Sequence, residues 1–256
     1  MDRSDMEPRS TGTIAPLKNV ALCIRAMEQA HQRLIYREDH EPGIICLYGP
    51  AGFGKTFAIT HIAIKYRACF IQCRSTWTKK AILSAMAQDL GVKPAKTAAE
   101  LTAQVGTILV ERQTPLVVDE MDYIIGRDAT DIIRDLYEIA HVPILLAGEE
   151  SLPTHLDKTE RFYSRVFEWI PAQKADTSDA RVLTQFYSKR VKIADDLLAE
   201  VTKRSQGSLR RISVNLTRIE EEAIATGKAA IDLPEWVKMN KGFWTGEAIV
   251  RKEYIR

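Results

Sequence analysis

One loop constrains this chain more than any other feature: Gly49-Pro50-Ala51-Gly52-Phe53-Gly54-Lys55-Thr56 satisfies G-x-x-x-x-G-K-[ST] in full. Its glycines allow backbone conformations closed to other residues, so several N–H groups can converge on one polyphosphate. The loop follows an apolar run, Ile44–Tyr48, and leads into a periodic stretch. It therefore opens a helix, whose amide dipoles also favour an anion. In such a loop Lys55 reaches the β- and γ-phosphates and the Thr56 hydroxyl ligates Mg²⁺, which makes Mg-ATP the expected ligand.

Around the loop, short apolar runs alternate with periodic stretches. The apolar runs Ile44–Tyr48, Ala68–Cys73, Leu116–Asp119, Ile144–Ala147 and Val166–Ile170 read as strands. Helical spacing fills 17–36, 55–66, 78–90, 98–112, 129–140 and 156–164. Unpatterned apolar strands separated by helices imply an α/β fold with a parallel sheet covered on both faces. After Pro171 the rhythm changes, and 178–227 reads as helices only, with Asp179 and Asp195 near helix starts and Gly207 as a break. The division expected is a flexible tail at 1–12, a P-loop core at 13–171, a small helical lid at 172–230, and an aromatic, basic C-terminal tail at 231–256. A chain of 256 residues suits one such core with an appendage.

Composition narrows the function classes. Apolar residues at 45% supply a core, and a net charge of +2 excludes a uniformly basic surface, leaving only local basic patches. The scattered cysteines Cys23, Cys46, Cys69 and Cys73 lack the pairing and nearby histidines of a zinc site and read as buried free thiols. The first residues carry no apolar h-region, and no run is long enough to span a bilayer. The expectation is a cytoplasmic protein with no membrane partner.

Further along, Pro115-Leu116-Val117-Val118 runs into Asp119 and Glu120 at a strand's C-terminal end, where open α/β sheets bind ligands. Asp119 suits a role on Mg²⁺ and Glu120 suits polarising the attacking water. The plainer reading of the segment is a strand followed by a solvated acidic turn that also includes Asp122. The next strand ends in Gly148-Glu149-Glu150, where a polar group can face the γ-phosphate. An ionised Glu149 accepts hydrogen bonds only and repels phosphate, so catalytic and surface roles both stay open. Arg161 and Arg165 bracket the approach to Val166–Ile170, and Arg210 stands at the start of a lid helix. Arginine clamps phosphate charge.

This ordered set resembles the AAA+ ATPases, in particular the DNA-transposition target-selection family typified by the phage Mu B protein. The segments that carry the likeness are Ala51–Thr56, Ile71–Lys80 and Ala147–Glu150, besides Val-Val-Asp-Glu at 117–120. The resemblance implies a five-stranded sheet in the order 5-1-4-3-2, with Glu149 at the first sensor, Arg165 or Arg161 as arginine finger and Arg210 at the second sensor. The family usually shows Asn or Thr where Glu149 stands. It also implies ATP-dependent self-assembly, as a ring or a helical filament, on double-stranded DNA, and delivery of that DNA to a transposase. The alternative is a replicative helicase loader. DNA contacts are expected from Arg74, Trp77, Thr78, Lys79 and Lys80, and from Arg127 in a turn; a solvated helix face is the plainer reading of Lys79-Lys80. No base-reading module is evident, so contacts should fall mainly on phosphates.

Overall fold

A computed structural model describes residues 17–36, 41–125, 129–157 and 160–246. Its contacts divide the chain into two compact units, one of Lys18–Lys174 with Ser208–Arg210, the other built of Ala175–Gly207 and Arg211 onward.

The first unit is a five-stranded parallel sheet: β1 (Ile44–Tyr48), β2 (Cys69–Gln72), β3 (Leu116–Asp119), β4 (Ile144–Gly148) and β5 (Val166–Pro171), in the order β2-β3-β4-β1-β5. Read from the other edge, this is the 5-1-4-3-2 order expected. The three inner strands are apolar up to their C-terminal residues because helices cover both faces. Ile44–Leu47, Leu116–Val118 and Ile144–Ala147 all have no exposed surface. The edge strands β2 and β5 carry half-exposed positions, as one neighbour fewer demands. The connecting helices are α1 (Lys18–Tyr36), α2 (Lys55–Tyr66), α3 (Lys79–Asp89), α4 (Ala98–Arg112) and α5 (Ala129–Ala140). Helix α1 buries Val20, Cys23, Met27 and Ala30, a stripe at spacings of three and four. Helix α4 starts at a complete capping box between Thr97 and Glu100. Of the helix expected over 156–164, the described residues hold α6 (Leu152–Asp157) and α7 (Glu160–Tyr163), and 158 and 159 lie outside them. Each buries an apolar residue of its own, Leu156 and Phe162.

The second unit contains α8 (Thr177–Tyr187), α9 (Asp195–Arg204) and most of α10 (Leu209–Ala225). Asp176 caps α8 reciprocally with Asp179, and Gly207 takes φ 74° at the break between α9 and α10. Helices are not the whole of this unit. Two-residue strands β6 (Lys192–Ile193) and β7 (Ala230–Ile231) pair in parallel. A strand that short has no periodicity to read. Helix α11 (Leu233–Lys238) follows, with Trp236 buried against Phe243. Asn215, itself buried, accepts from the Trp244 amide at 2.7 Å and donates to the Trp244 carbonyl at 3.0 Å. Of the C-terminal segment, residues 233–246 therefore pack within this unit; 247–256 lie outside the described residues.

All four cysteines are buried and unpaired, and burial pushes the Cys23 thiol up to about 12. Among the described residues no helix is long and apolar enough to cross a membrane.

Candidate nucleotide-binding site

Parallel strands bring three chain segments to one edge of the sheet. Gly49 follows β1, Asp119 and Glu120 end β3, and Gly148 and Glu149 end β4, which lies between the other two. The Gly49 amide donates to the Gly148 carbonyl at 3.3 Å, joining the first segment to the third.

The loop 49–56 is shaped by its glycines. Gly52 and Gly54 take φ 85° and 81°, and a Cβ at either would stand 2.7 Å from Ser208 Oγ or Leu209 Cδ2. Both the left-handed backbone and the close approach of residues 208–210 exclude a side chain there. The Arg210 amide donates to the Gly52 carbonyl at 3.2 Å, so the expected second-sensor arginine starts beside the phosphate loop. Gly54 leads into α2 without a side-chain cap, leaving the first-turn amides to an anion. Asn19, nearly buried on α1, fixes the loop from outside. Its Nδ2 donates to the carbonyls of Phe53 (2.9 Å) and Gln173 (3.1 Å), while its Oδ1 accepts from the Gln173 amide at 2.8 Å. Nothing in the sequence near Asn19 points to this.

Lys55 Nζ donates to the carbonyls of Gly49 (2.6 Å) and Pro50 (3.0 Å). Burial lowers its pKa, while Glu120, Asp122, Asp119 and Glu149 act in the opposite direction. One ammonium thus stands among four carboxylates, and the loop amides complete a frame for a polyphosphate with a cation.

Asp119 is 2% exposed. Burial raises its pKa, opposed by the Thr56 hydroxyl, the Glu120 amide (2.9 Å to Oδ1) and Lys55. Its Oδ2 is buried with no hydrogen-bond partner among the described residues. A hard, anionic oxygen next to the Thr56 hydroxyl fits the needs of Mg²⁺, which prefers oxygen ligands and keeps several of its waters. Glu120 adopts φ 55°, ψ 44°, left-handed for a residue with a side chain. This bends the chain out of β3 into a 3-10 turn, Met121–Tyr123, and leaves the Glu120 carboxylate half-buried beside the loop. Burial first, then the neighbouring Asp119, raises its pKa, which makes it a stronger base.

Asp122 is not part of a solvated turn. It is half-buried, and its Oδ2 accepts from the Glu149 amide at 2.6 Å. The Glu149 side chain is exposed.

Arg165 lies elsewhere. Val166 pairs with Ile44, so Arg165 stands at the opposite end of the strands from Gly49, roughly 20 Å away at about 3.3 Å per residue. Its Nε donates to Glu138 Oε1 at 2.5 Å. Arg161, on α7, is exposed and makes no ion pair among the described residues. Neither arginine belongs to this chain's own phosphate site.

The segment 74–80 follows β2 at the far edge of the sheet. Arg74, Thr78, Lys79 and Lys80 are exposed, and Trp77 is half-buried with the Arg74 guanidinium 5.9 Å from its ring. Thr78 caps α3 by accepting from the Ala81 amide at 3.3 Å. The Cys73 amide donates to the Asp119 carbonyl at 2.9 Å, joining this loop's base to the acidic pair. Arg127 lies outside the described residues.

A phosphate loop after β1, an acidic pair after the third strand and a 2-3-4-1-5 sheet decide the fold, and residues 37–156 match the family described as AAA domain. The core has the AAA fold. Solved structures similar to it include a Cdc6 protein of Pyrobaculum aerophilum, at 16% identity and TM-score 0.64, covering 87% of this chain and 66% of that one. The Orc1 protein of Aeropyrum pernix, in a structure titled as a complex with DNA, is 16% identical with TM-score 0.62, over 89% of this chain and 65% of its own. The Orc2 protein of the same organism, in its ADP form, is 14% identical with TM-score 0.66, over 98% and 73%. The chain thus spans just under two thirds of the Cdc6 and Orc1 proteins. No curated protein sequence matches it. What these structures share with the chain at such identity is the fold.

Proposed function

We propose that the chain is an ATP-hydrolysing AAA protein that assembles on double-stranded DNA and passes it to a client, a transposase. The observation that carries the reading is the arrangement of Lys55, Thr56, Asp119 and Glu120 at one edge of the sheet. Lys55 and the loop amides hold the phosphates, and Arg210 closes on them from 208–210. Thr56 and Asp119 would hold Mg²⁺, which would supply positive charge against the phosphates. Glu120 takes the proton of the attacking water and orients it. Glu149 lies at the first-sensor position.

Arg165 supports assembly. An arginine at the far end of the strands serves a neighbour's phosphates, and there it acts as a finger. The exposed bases of 74–80 contact DNA phosphates, and the bond from Cys73 to Asp119 couples that loop to the nucleotide. Four buried, unpaired thiols support a reducing, cytoplasmic setting.

A replicative helicase loader is the second reading, favoured by fold similarity to the Cdc6 and Orc proteins. Electron microscopy with ATP and plain duplex DNA separates the two. DNA-wrapped helical assemblies support target selection. Rings that form only with a helicase support loading, and an ATP-bound monomer that ignores DNA rejects both.

A further inference from the structure

Asp122 is bonded to the end of a different strand. After Glu120 turns left-handed, Met121 packs into the core with no exposed surface, and this swings Asp122 toward β4. Its Oδ2 accepts from the Glu149 amide at 2.6 Å. A Cβ at Gly148 would stand 2.4 Å from the same oxygen, so only glycine admits the contact. The carboxylate's other oxygen is buried with no hydrogen-bond partner among the described residues. A serine or asparagine would satisfy one amide at less desolvation cost. The charged form makes the shorter, stronger bond and adds to the negative potential felt by Lys55.

We infer that Asp122 is a positioning residue for ATP hydrolysis: it clamps the β4 end to the β3 end, fixing residue 149 relative to Glu120 and the phosphate loop. This rests on the hydrolysis reading above. Asp122 contacts the Glu149 amide. It acts through the Glu149 main chain, so its loss shifts groups around the attacking water while leaving the loop amides and Lys55 intact. Small displacements of that kind cost turnover far more than affinity.

The test compares Asp122→Ala, Asp122→Asn and Gly148→Ala in the full chain. Asp122→Ala should lower kcat about tenfold to a hundredfold, with nucleotide affinity changed less than about threefold. Asp122→Asn keeps an acceptor oxygen and should recover most of kcat. Gly148→Ala displaces the carboxylate sterically, should match Asp122→Ala, and should add nothing in the double variant. Hydrogen exchange of the peptide containing Glu149, in nucleotide-free protein, should quicken in Asp122→Ala and Gly148→Ala. A parental chain that hydrolyses ATP, with Asp122→Ala equally active below its melting temperature, overturns the positioning role and leaves the hydrolysis reading standing. A parental chain without ATPase activity overturns both.

Discussion

Asp119 is a carboxylate held almost wholly out of water, and one of its oxygens has no hydrogen-bond partner among the described residues. That is costly in the nucleotide-free protein and useful once a divalent cation arrives. The cost has a pH signature. Burial raises the folded pKa of Asp119 above its unfolded value, so the native state holds the proton more tightly. The associated stability is fully present below the ordinary aspartate range and is lost as pH rises through the folded pKa. Asp119→Asn removes the charge that burial penalises. Nucleotide-free Asp119→Asn should therefore be more stable than the parent at neutral pH, by about 1 kcal/mol. That advantage should vanish as the pH falls into the ordinary carboxylate range. Urea denaturation at a series of pH values measures it. A variant less stable at neutral pH would mean that Thr56 and the Glu120 amide more than offset the desolvation. In the same variant Mg²⁺-dependent nucleotide binding should weaken, a trade of function for stability at one residue.

Helix α3 and the loop before it decide whether the chain holds DNA by its backbone. The helix has no acidic residue in its first turn, and Lys79 and Lys80 add positive charge where the amide dipoles are already positive. That arrangement disfavours the isolated helix and favours an approaching phosphate. Trp77 anchors the loop in the core, so the bases are presented from a fixed point. Lys79→Ala combined with Lys80→Ala should weaken binding equally on unrelated duplex sequences. It should also flatten the slope of log affinity against log salt by up to about 1.8, at about 0.9 per phosphate contact. Fluorescence anisotropy across a salt series reads both. An unchanged slope would mean that the two lysines only coat a helix. A loss confined to particular sequences would point to base contacts instead.

At the scale of the whole molecule, the separation between the phosphate loop and Arg165 matters most. The two lie at opposite ends of adjacent strands, so one chain cannot bring its own Arg165 to its own γ-phosphate without unfolding the sheet. Arg165 is held by Glu138 in an ion pair partly open to solvent, and on the proposed assembly a neighbour's phosphate would compete with Glu138 for it. Arg165→Ala should bind ATP as the parent does, yet lose hydrolysis and ATP-dependent assembly on DNA. The loss expected for an arginine finger is roughly 10³–10⁵ in rate. Mixing Arg165→Ala with Lys55→Ala should restore part of the activity, since one chain supplies the nucleotide site and the other the finger. Steady-state ATPase over a range of ratios tests this. Recovery at no ratio, with both chains folded, argues against catalysis in trans and turns attention to Arg161. Full activity of Arg165→Ala alone removes Arg165 from the reaction.

By itself the sequence determined the five core strands and the phosphate loop, because both depend on local chemistry. Apolar runs such as Ile44–Tyr48 and Leu116–Val118 are readable as inner strands because burial on both faces removes every polar residue from a short stretch. The loop 49–56 is readable because its glycines, Lys55 and Thr56 stand at fixed spacings within eight consecutive residues. What only the tertiary structure decided are contacts between segments distant in the chain. Asn19 meets Gln173 across 154 positions, and Asp122 meets Glu149 across 27. The pairing of β6 with β7 joins two residues to two and leaves no alternation to detect. A hydrogen bond to another segment's main chain needs only one polar side chain at one position. Surface residues meet the same description, so Asp122 looks like a solvated acid until β4 lies beside it.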